Sequence, residues 1–259
     1  VNYLDHIDAL NLSAEQQALI KDIPDPMFRQ TVRDFCVNQQ FRRDYWVKGA
    51  RKLNAIEQME AIRAERVLLV QPRAGVSLKV TGNLGEATMQ EAIYGPILDC
   101  LADHQPRSLG EIEQAVVGKA NIAQVLQAAL VLTGTGSLLA VQDEAITARA
   151  KPHCDRLNAH LMDKARGSSE INHLASPVTG GGITVDRLQQ LFLLARARGK
   201  QQPGEWTAFV WQILAAQNQR LLKEGKALET PEENIAELTT RAQEFAEKRL
   251  PILKAMQIA

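Results

Sequence analysis

Three times in this chain a hydroxyl residue stands three places ahead of a glutamine or glutamate at the head of a helical stretch: Ser13 with Gln16, Ser108 with Glu111, and Thr230 with Glu233. In such a box the hydroxyl oxygen accepts from the third helical N–H, and the Gln or Glu side chain returns to the cap's own N–H. Two of the four backbone donors that every helix start leaves open are then satisfied locally. The chain is thereby directed toward a series of short helices with defined starts. Pro24 and Pro26 stop the first of them. Pro231 occupies the first helical position after Thr230, where its missing N–H costs nothing, so a final helix bearing Ile235, Leu238, Ala242, Phe245 and Leu250 is expected to dock on a core.

Between these anchors the pattern alternates between periods. From Pro26 or Met27 to about Leu53, Phe28, Val32, Phe35, Cys36, Tyr45 and Trp46 recur near helical spacing and predict one or two packed helices. RVLLVQ and VSLKVT flank Pro72-Arg73-Ala74-Gly75, and Val76, Leu78 and Val80 alternate with Ser77, Lys79 and Thr81, which predicts a half-buried hairpin. A helix around Glu86 to Leu101, a second from Ser108, a third over NIAQVLQAALVLT and the strand SLLAV after Gly134-Thr135-Gly136 follow the order of a winged-helix unit. Further on, a helix is expected from Thr147 to Arg166, then extended pieces around Gly180-Gly181-Gly182, then a helix ending at Gly199. A last long helix opens at Pro203-Gly204, with Phe209, Val210, Ile213, Leu214, Gln217 and Leu221 facing inward and Gly225 as a left-handed stop. The fold class is mainly α with short β-hairpins (α+β), built of helical units that include a winged-helix-like module.

At 259 residues the length suits two compact units. The expected segments are an N-terminal helical stretch at 1–63, the hairpin with the winged-helix-like unit at 64–150, and a second helix-rich unit with its capping helix at 151–259. Lys+Arg and Asp+Glu balance at 30 each, so no global field draws the chain to nucleic acid or to an anionic membrane. The longest apolar runs fall far short of the ~20 residues that span a bilayer, and VNYLDHID lacks the form of a leader. A cytoplasmic protein is expected. Cys36, Cys100 and Cys154, odd in number and widely spaced, read as reduced thiols. Val1 is not an initiator methionine, which reads as a processed product or an excised piece of something longer.

A catalytic constellation is harder to find. A methyl-donor or dinucleotide site of the doubly wound type needs a strand running into a glycine-rich turn and then a helix. Gly134-Thr135-Gly136 has the reverse order, and Gly180-Gly181-Gly182 lies between extended pieces, so both read as tight turns. Cys100 with His104, four apart on an expected helix, and His153 with Cys154 form on paper a two-Cys, two-His zinc set without finger or ribbon spacing. Ser168, Ser169, Glu170 and His173 bring hydroxyl, acid and imidazole together without a G-x-S-x-G turn. No catalytic, cofactor-binding or metal-binding residue is assigned.

The local feature that does suggest binding is Arg42, Arg43, Lys48, Arg51 and Lys52 interleaved with Phe41, Tyr45 and Trp46. Helical spacing separates Arg42 from Arg43 by about 100°, which argues for pairing with Asp34, Asp44 and Glu57, or for a domain interface, over a phosphate-tracking face. Phe41, Arg42, Arg43, Trp46, Lys48 and Arg51 are the candidate interface. NIAQVLQAALVLT, in the place of a recognition helix, holds no basic residue, which turns that module toward protein contact and away from DNA.

FCVNQQFRRDYWVKGARKL from Phe35, SLKVTGNLGEATMQEAIYGPIL from Ser77, LASPVTGGGI from Leu174 and QRLLKEGKALETPEENIAEL from Gln219 together resemble the predicted methyltransferase regulatory region of bacterial class I S-adenosylmethionine-dependent methyltransferases. The resemblance runs over most of the chain. It implies a non-catalytic regulatory or substrate-handling region, with the catalytic domain and its S-adenosylmethionine upstream, and with that domain or another protein as partner. A homodimer stays open. From a different class, the residues also suit a stand-alone winged-helix-like interaction module that binds protein or, with less support, nucleic acid.

Overall fold

The computed structural model describes residues 3–41 and 46–259, and the chain divides into two compact units, Val1–Ala140 and Val141–Ala259. In the first unit a 3-10 turn, Tyr3–His6, leads to α1 (Asp8–Asn11), α2 (Ala14–Asp22), α3 (Pro26–Cys36) and α4 (Ala55–Ala64). There follow β1 (Arg66–Leu69), β2 (Lys79–Gly82), β3 (Gly85–Thr88), α5 (Glu91–Cys100), β4 (Arg107–Ser108), α6 (Leu109–Ala115), α7 (Ile122–Gly134) and β5 (Leu138–Ala140). The capping signals act as the sequence dictates. Ser13 and Gln16 open α2, Ser108 and Glu111 open α6, and Asn54 with Glu57 and Asn121 with Gln124 do the same for α4 and α7.

Three expectations are corrected here. RVLLVQ and VSLKVT are not partners: β1 is the central strand of a three-stranded antiparallel sheet in the order β4-β1-β5, with Leu68 opposite Leu139. β2 instead pairs with β3 across Asn83-Leu84, so the helix expected from Glu86 starts at Glu91. Of the helical stretch expected to reach Leu53, α3 ends at Cys36 and Asn38 is in the left-handed region, while residues 42–45, Tyr45 among them, lie outside the described residues. Leu69, Leu98, Leu101, Ile112, Leu132 and Leu138 fill the core that α5, α6 and α7 form with the sheet. Of that sheet's strands, β1 precedes the three helices and β5 follows them.

The second unit holds α8 (Glu144–Lys164), the hairpin β6 (His173–Ser176) and β7 (Gly181–Thr184), α9 (Arg187–Ala197), α10 (Pro203–Ala216), and the short hairpin β8 (Leu222–Lys223) and β9 (Lys226–Ala227). It closes with α11 (Pro231–Glu244), one π-helical turn over Phe245–Arg249, and α12 (Leu250–Ala255). Phe192, Trp206 and Phe245 pack at ring-centroid separations of 5.6 to 6.4 Å at its centre. The capped final helix docks through Leu238, Ala242, Phe245 and Leu250, while Ile235 stays exposed. α10 stops at Ala216, short of the expected Gly225, and of its expected inward face Val210 and Leu214 are buried whereas Gln217 is exposed. Glu224 and Gly225, both with positive φ, instead form the two-residue turn of β8 and β9, a geometry whose twist matches paired strands. Among the described residues no helix is long and apolar enough to cross a membrane.

Candidate functional site

α3 is amphipathic, and much of its apolar face is exposed. Asp25 caps it through a 2.7 Å bond accepted from the Phe28 N–H, and Pro26 sits in its first turn. Successive residues lie 100° apart, so Phe28, Val32 and Phe35 share one face and Arg29 and Arg33 share another. The arginine face is the one that meets the protein. Arg33 is buried; its Nε donates to Asp8 Oδ1 at 2.8 Å, and its Nη2 donates to the Asp5 carbonyl. Arg29 donates from Nε and Nη2 to the Ile23 carbonyl at 3.0 and 2.7 Å. With both guanidiniums satisfied inward, Phe28 and Phe35 are left 58% and 81% exposed, and Met27 beside them is exposed too.

The sequence reading expected this stripe to pack inward, and helical periodicity does not say which way a stripe faces. Single exposed apolar side chains are ordinary on a protein surface; here Phe28 and Phe35 are exposed on one face of α3, with Val32 half-buried between them. Burying a phenylalanine is worth about 1.5–3 kcal/mol, so leaving both in water forgoes a large part of what the helix could contribute.

Of the expected interface residues, Phe41 and Trp46 are 84% and 93% exposed, and Lys48 is exposed. Arg51 lies 3.2 Å from Glu57 Oε1 through both terminal nitrogens, one of the intramolecular pairings foreseen for this cluster. Arg42 and Arg43 lie outside the described residues. The exposed apolar face of α3 was missed as a site. The sequence carried no signal for it, since Arg29 and Arg33 on another face read equally as a solvated face.

The other groups weighed for chemistry are placed apart. α5 ends at Cys100, and His104 lies beyond it in a turn with positive φ, its Nδ1 2.9 Å from the Leu69 carbonyl, so the two do not share a helical face. Burial pushes the Cys100 thiol above its ordinary range, away from the thiolate a metal would bind. His153 and Cys154 lie inside α8, with His153 Nδ1 against Arg156. Among the described residues no three His, Cys, Asp or Glu side chains gather as a metal set. His173 Nε2 faces Thr184 Oγ1 across the β6–β7 hairpin at 3.2 Å, and Ser168 Oγ accepts the Glu170 N–H. Gly136, with positive φ, lies in the turn from α7 into β5, and Gly180, with positive φ, lies in the turn from β6 into β7, whereas Gly181 and Gly182 are paired residues of β7. α7 holds no basic residue, and Val125, Ala128, Val131 and Leu132 commit one side of it to the core.

Residues 1–48 match the family model described as the predicted methyltransferase regulatory domain, the family whose resemblance the sequence carries. α1, α2, α3, Phe41 and Trp46 all fall within that match. An uncharacterized protein of Synechocystis sp. is 38% identical over 257 residues, which are 99% of this chain and 50% of that protein. The chain thus spans about half the length of the curated relative it matches. No solved structure matches it.

Proposed function

Taking the first 48 residues as the methyltransferase regulatory domain they match, we propose that this chain is the regulatory region of an S-adenosylmethionine-dependent methyltransferase. Its catalytic domain lies in an adjoining part of the protein, and α3 is the surface that meets it. The observation that carries this reading is the exposure of Phe28 and Phe35 on one face of α3 inside the matched segment, with Arg29 and Arg33 bonded to the protein on another face. A catalytic domain seated there would remove both aromatic rings from water. Phe41 and Trp46 would extend the contact, and Lys48 would supply a charge at its rim. In this reading α5, β4, α6, α7 and β5, with β1 completing the sheet, form a winged-helix-like unit whose third helix is spent on the core and is suited to protein contact.

The test uses the complete gene product, this chain, and the remainder expressed separately, each titrated calorimetrically with S-adenosylmethionine. Heat is expected from the complete product and the remainder and not from this chain. Association of the two parts should weaken at least ten-fold in the Phe28→Ser, Phe35→Ser double variant. A complete product that takes up no S-adenosylmethionine would overturn the reading in favour of a stand-alone interaction module. Cofactor binding by this chain alone would overturn the assignment of the catalytic domain elsewhere.

A further inference from the structure

Within the first unit, a cleft of about 320 Å³ lies against the N-terminal segment, the β2–β3 hairpin, α5 and α7. That is the lower end of the range of about 300–1,000 Å³ typical of small-molecule sites. Its lining includes the apolar Leu10, Met89 and Val131 together with Tyr94, Gln124 and Gln127. Among the described residues no Asp, Glu, Lys, Arg or His lines it. A charged ligand entering it would lose hydration with no opposite charge to compensate, whereas a neutral one would lose little.

Two of the polar lining residues keep a donor that no described residue takes up. Tyr94 is buried, and its hydroxyl hydrogen-bonds to none of the described residues; burial alone raises its pKa, so it stays protonated and able to donate. Gln124 spends its Oε1 on the Asn121 N–H at 3.0 Å, which leaves its amino group as a donor. A hydroxyl and an amide beside an apolar wall match a small neutral molecule with an apolar body and a carbonyl-type acceptor.

The N-terminal wall is built in. Leu84 donates its N–H to the Leu10 carbonyl at 3.1 Å, and Asn83 donates to Asn11 Oδ1 at 3.1 Å. Asn11 in turn donates from Nδ2 to the Leu4 and Ile7 carbonyls, so the stretch from Leu4 to Asn11 is fastened to the hairpin as one piece. Asp8, in the middle of that piece, is the carboxylate that holds Arg33 of α3.

We propose that this cleft is a binding site for an uncharged small molecule, recognised by the Tyr94 hydroxyl and the Gln124 amide over an apolar floor. The proposal does not depend on the methyltransferase reading, because it concerns what the first unit takes up by itself. The test follows NMR chemical shifts of the whole chain during titration with three near-isosteric probes, benzamide, benzoate and benzamidinium. Benzamide is expected to shift cleft resonances saturably and at least ten-fold more tightly than either charged probe. Gln127→Trp, at an exposed position on the rim, should abolish the shifts by filling the opening, and Tyr94→Phe should weaken benzamide about five-fold with the fold retained. No saturable shift with benzamide, equal affinity for the three probes, or binding untouched by both substitutions would overturn the proposal.

Discussion

Arg33 on α3 and Asp8 on α1, 25 residues apart, meet at 2.8 Å with the guanidinium buried and the carboxylate half-exposed. With the Arg33–Asp5 and Arg29–Ile23 bonds, this contact keeps the arginine face of α3 against the protein while Phe28 and Phe35 stay exposed. Hydrogen bonds to charged groups contribute about 1.5–3 kcal/mol, and the exposed carboxylate places this one toward the lower end. Arg33→Met is expected to lower stability by about 1–2 kcal/mol and to speed amide exchange in α3 over that of α5 and α7. Unchanged exchange in α3 would show that something other than this pair holds the helix.

The exposed rings predict a contrast. Phe35→Ser should change the unfolding free energy by less than about 0.5 kcal/mol, as surface substitutions do. Phe192→Ala, in the contact of Phe192 with Trp206 and Phe245, should cost about 3–5 kcal/mol through loss of transfer energy and an unfilled cavity. Urea unfolding of the two variants measures both. A Phe35 variant as damaged as the Phe192 variant would mean that α3 packs in solution.

Local signals were legible because their physics is local. A capping box involves residues three apart, so Ser13, Ser108 and Thr230 announced α2, α6 and α11 correctly from sequence. Pairings that depend on distant residues were not. Val67 and Leu68 read as strand, yet nothing in RVLLVQ says that its partners are Arg107, Leu139 and Ala140 in place of the nearby VSLKVT. Gly225 shows a second limit: positive φ serves both a helix stop and a hairpin turn, and the choice depended on Leu222 pairing with Ala227. Phe41 and Trp46 are exposed, as a contact surface would need, but the apolar stripe of α3 was expected to face inward and Phe28 and Phe35 face out.

Asp103 and Arg107 offer a pH-dependent observable. Arg107 contacts both carboxylate oxygens at 2.6 and 2.7 Å and, with the Gln105 N–H, holds the Asp103 carboxyl down to about 2 from its ordinary 3.8. Since the folded-state value lies below the unfolded one, the pair's contribution is fully present above about pH 4 and fades as the pH falls toward 2. Carbon-detected titration of the Asp103 carboxyl should give a midpoint near that value, and Arg107→Gln should return it toward the ordinary carboxylate range. An unmoved midpoint in the variant would mean that backbone donors set it.

Arg187 fastens two helix ends with one guanidinium. Its Nε donates to the Ala165 carbonyl at 2.7 Å, its Nη2 to the Arg166 carbonyl and Gln217 Oε1, and its Nη1 to Gln219 Oε1. The partners are neutral oxygens at the C-terminal ends of α8 and α10, where helix dipoles present partial negative charge. Lysine has neither the planar fork nor the reach to serve all four, so Arg187→Lys should destabilise the protein by about 1–3 kcal/mol despite keeping the charge. Urea midpoints of wild type and variant are the measurement, and coincident midpoints would remove Arg187 from the structural account.

Gly82 tests how the N-terminal segment is seated. A Cβ built there would lie 2.3 Å from the Leu10 carbonyl oxygen and 2.9 Å from its carbon. These are backbone atoms tied to the hairpin by the Leu84 N–H, so they cannot swing aside as a side chain tip would. Gly82→Ala should therefore push Leu10 off β2 at a cost of about 1–3 kcal/mol, in the range of overpacking strain, and expose the Leu84 amide to exchange. Gly75→Ala is the control, because its Cβ would meet nothing within 4 Å and the same substitution should be tolerated there. Since Leu10 also walls the neutral cleft, Gly82→Ala is further expected to weaken benzamide binding, whereas Gly75→Ala leaves it unchanged. Equal behaviour of the two variants would mean that the first residues are not seated against the hairpin in solution.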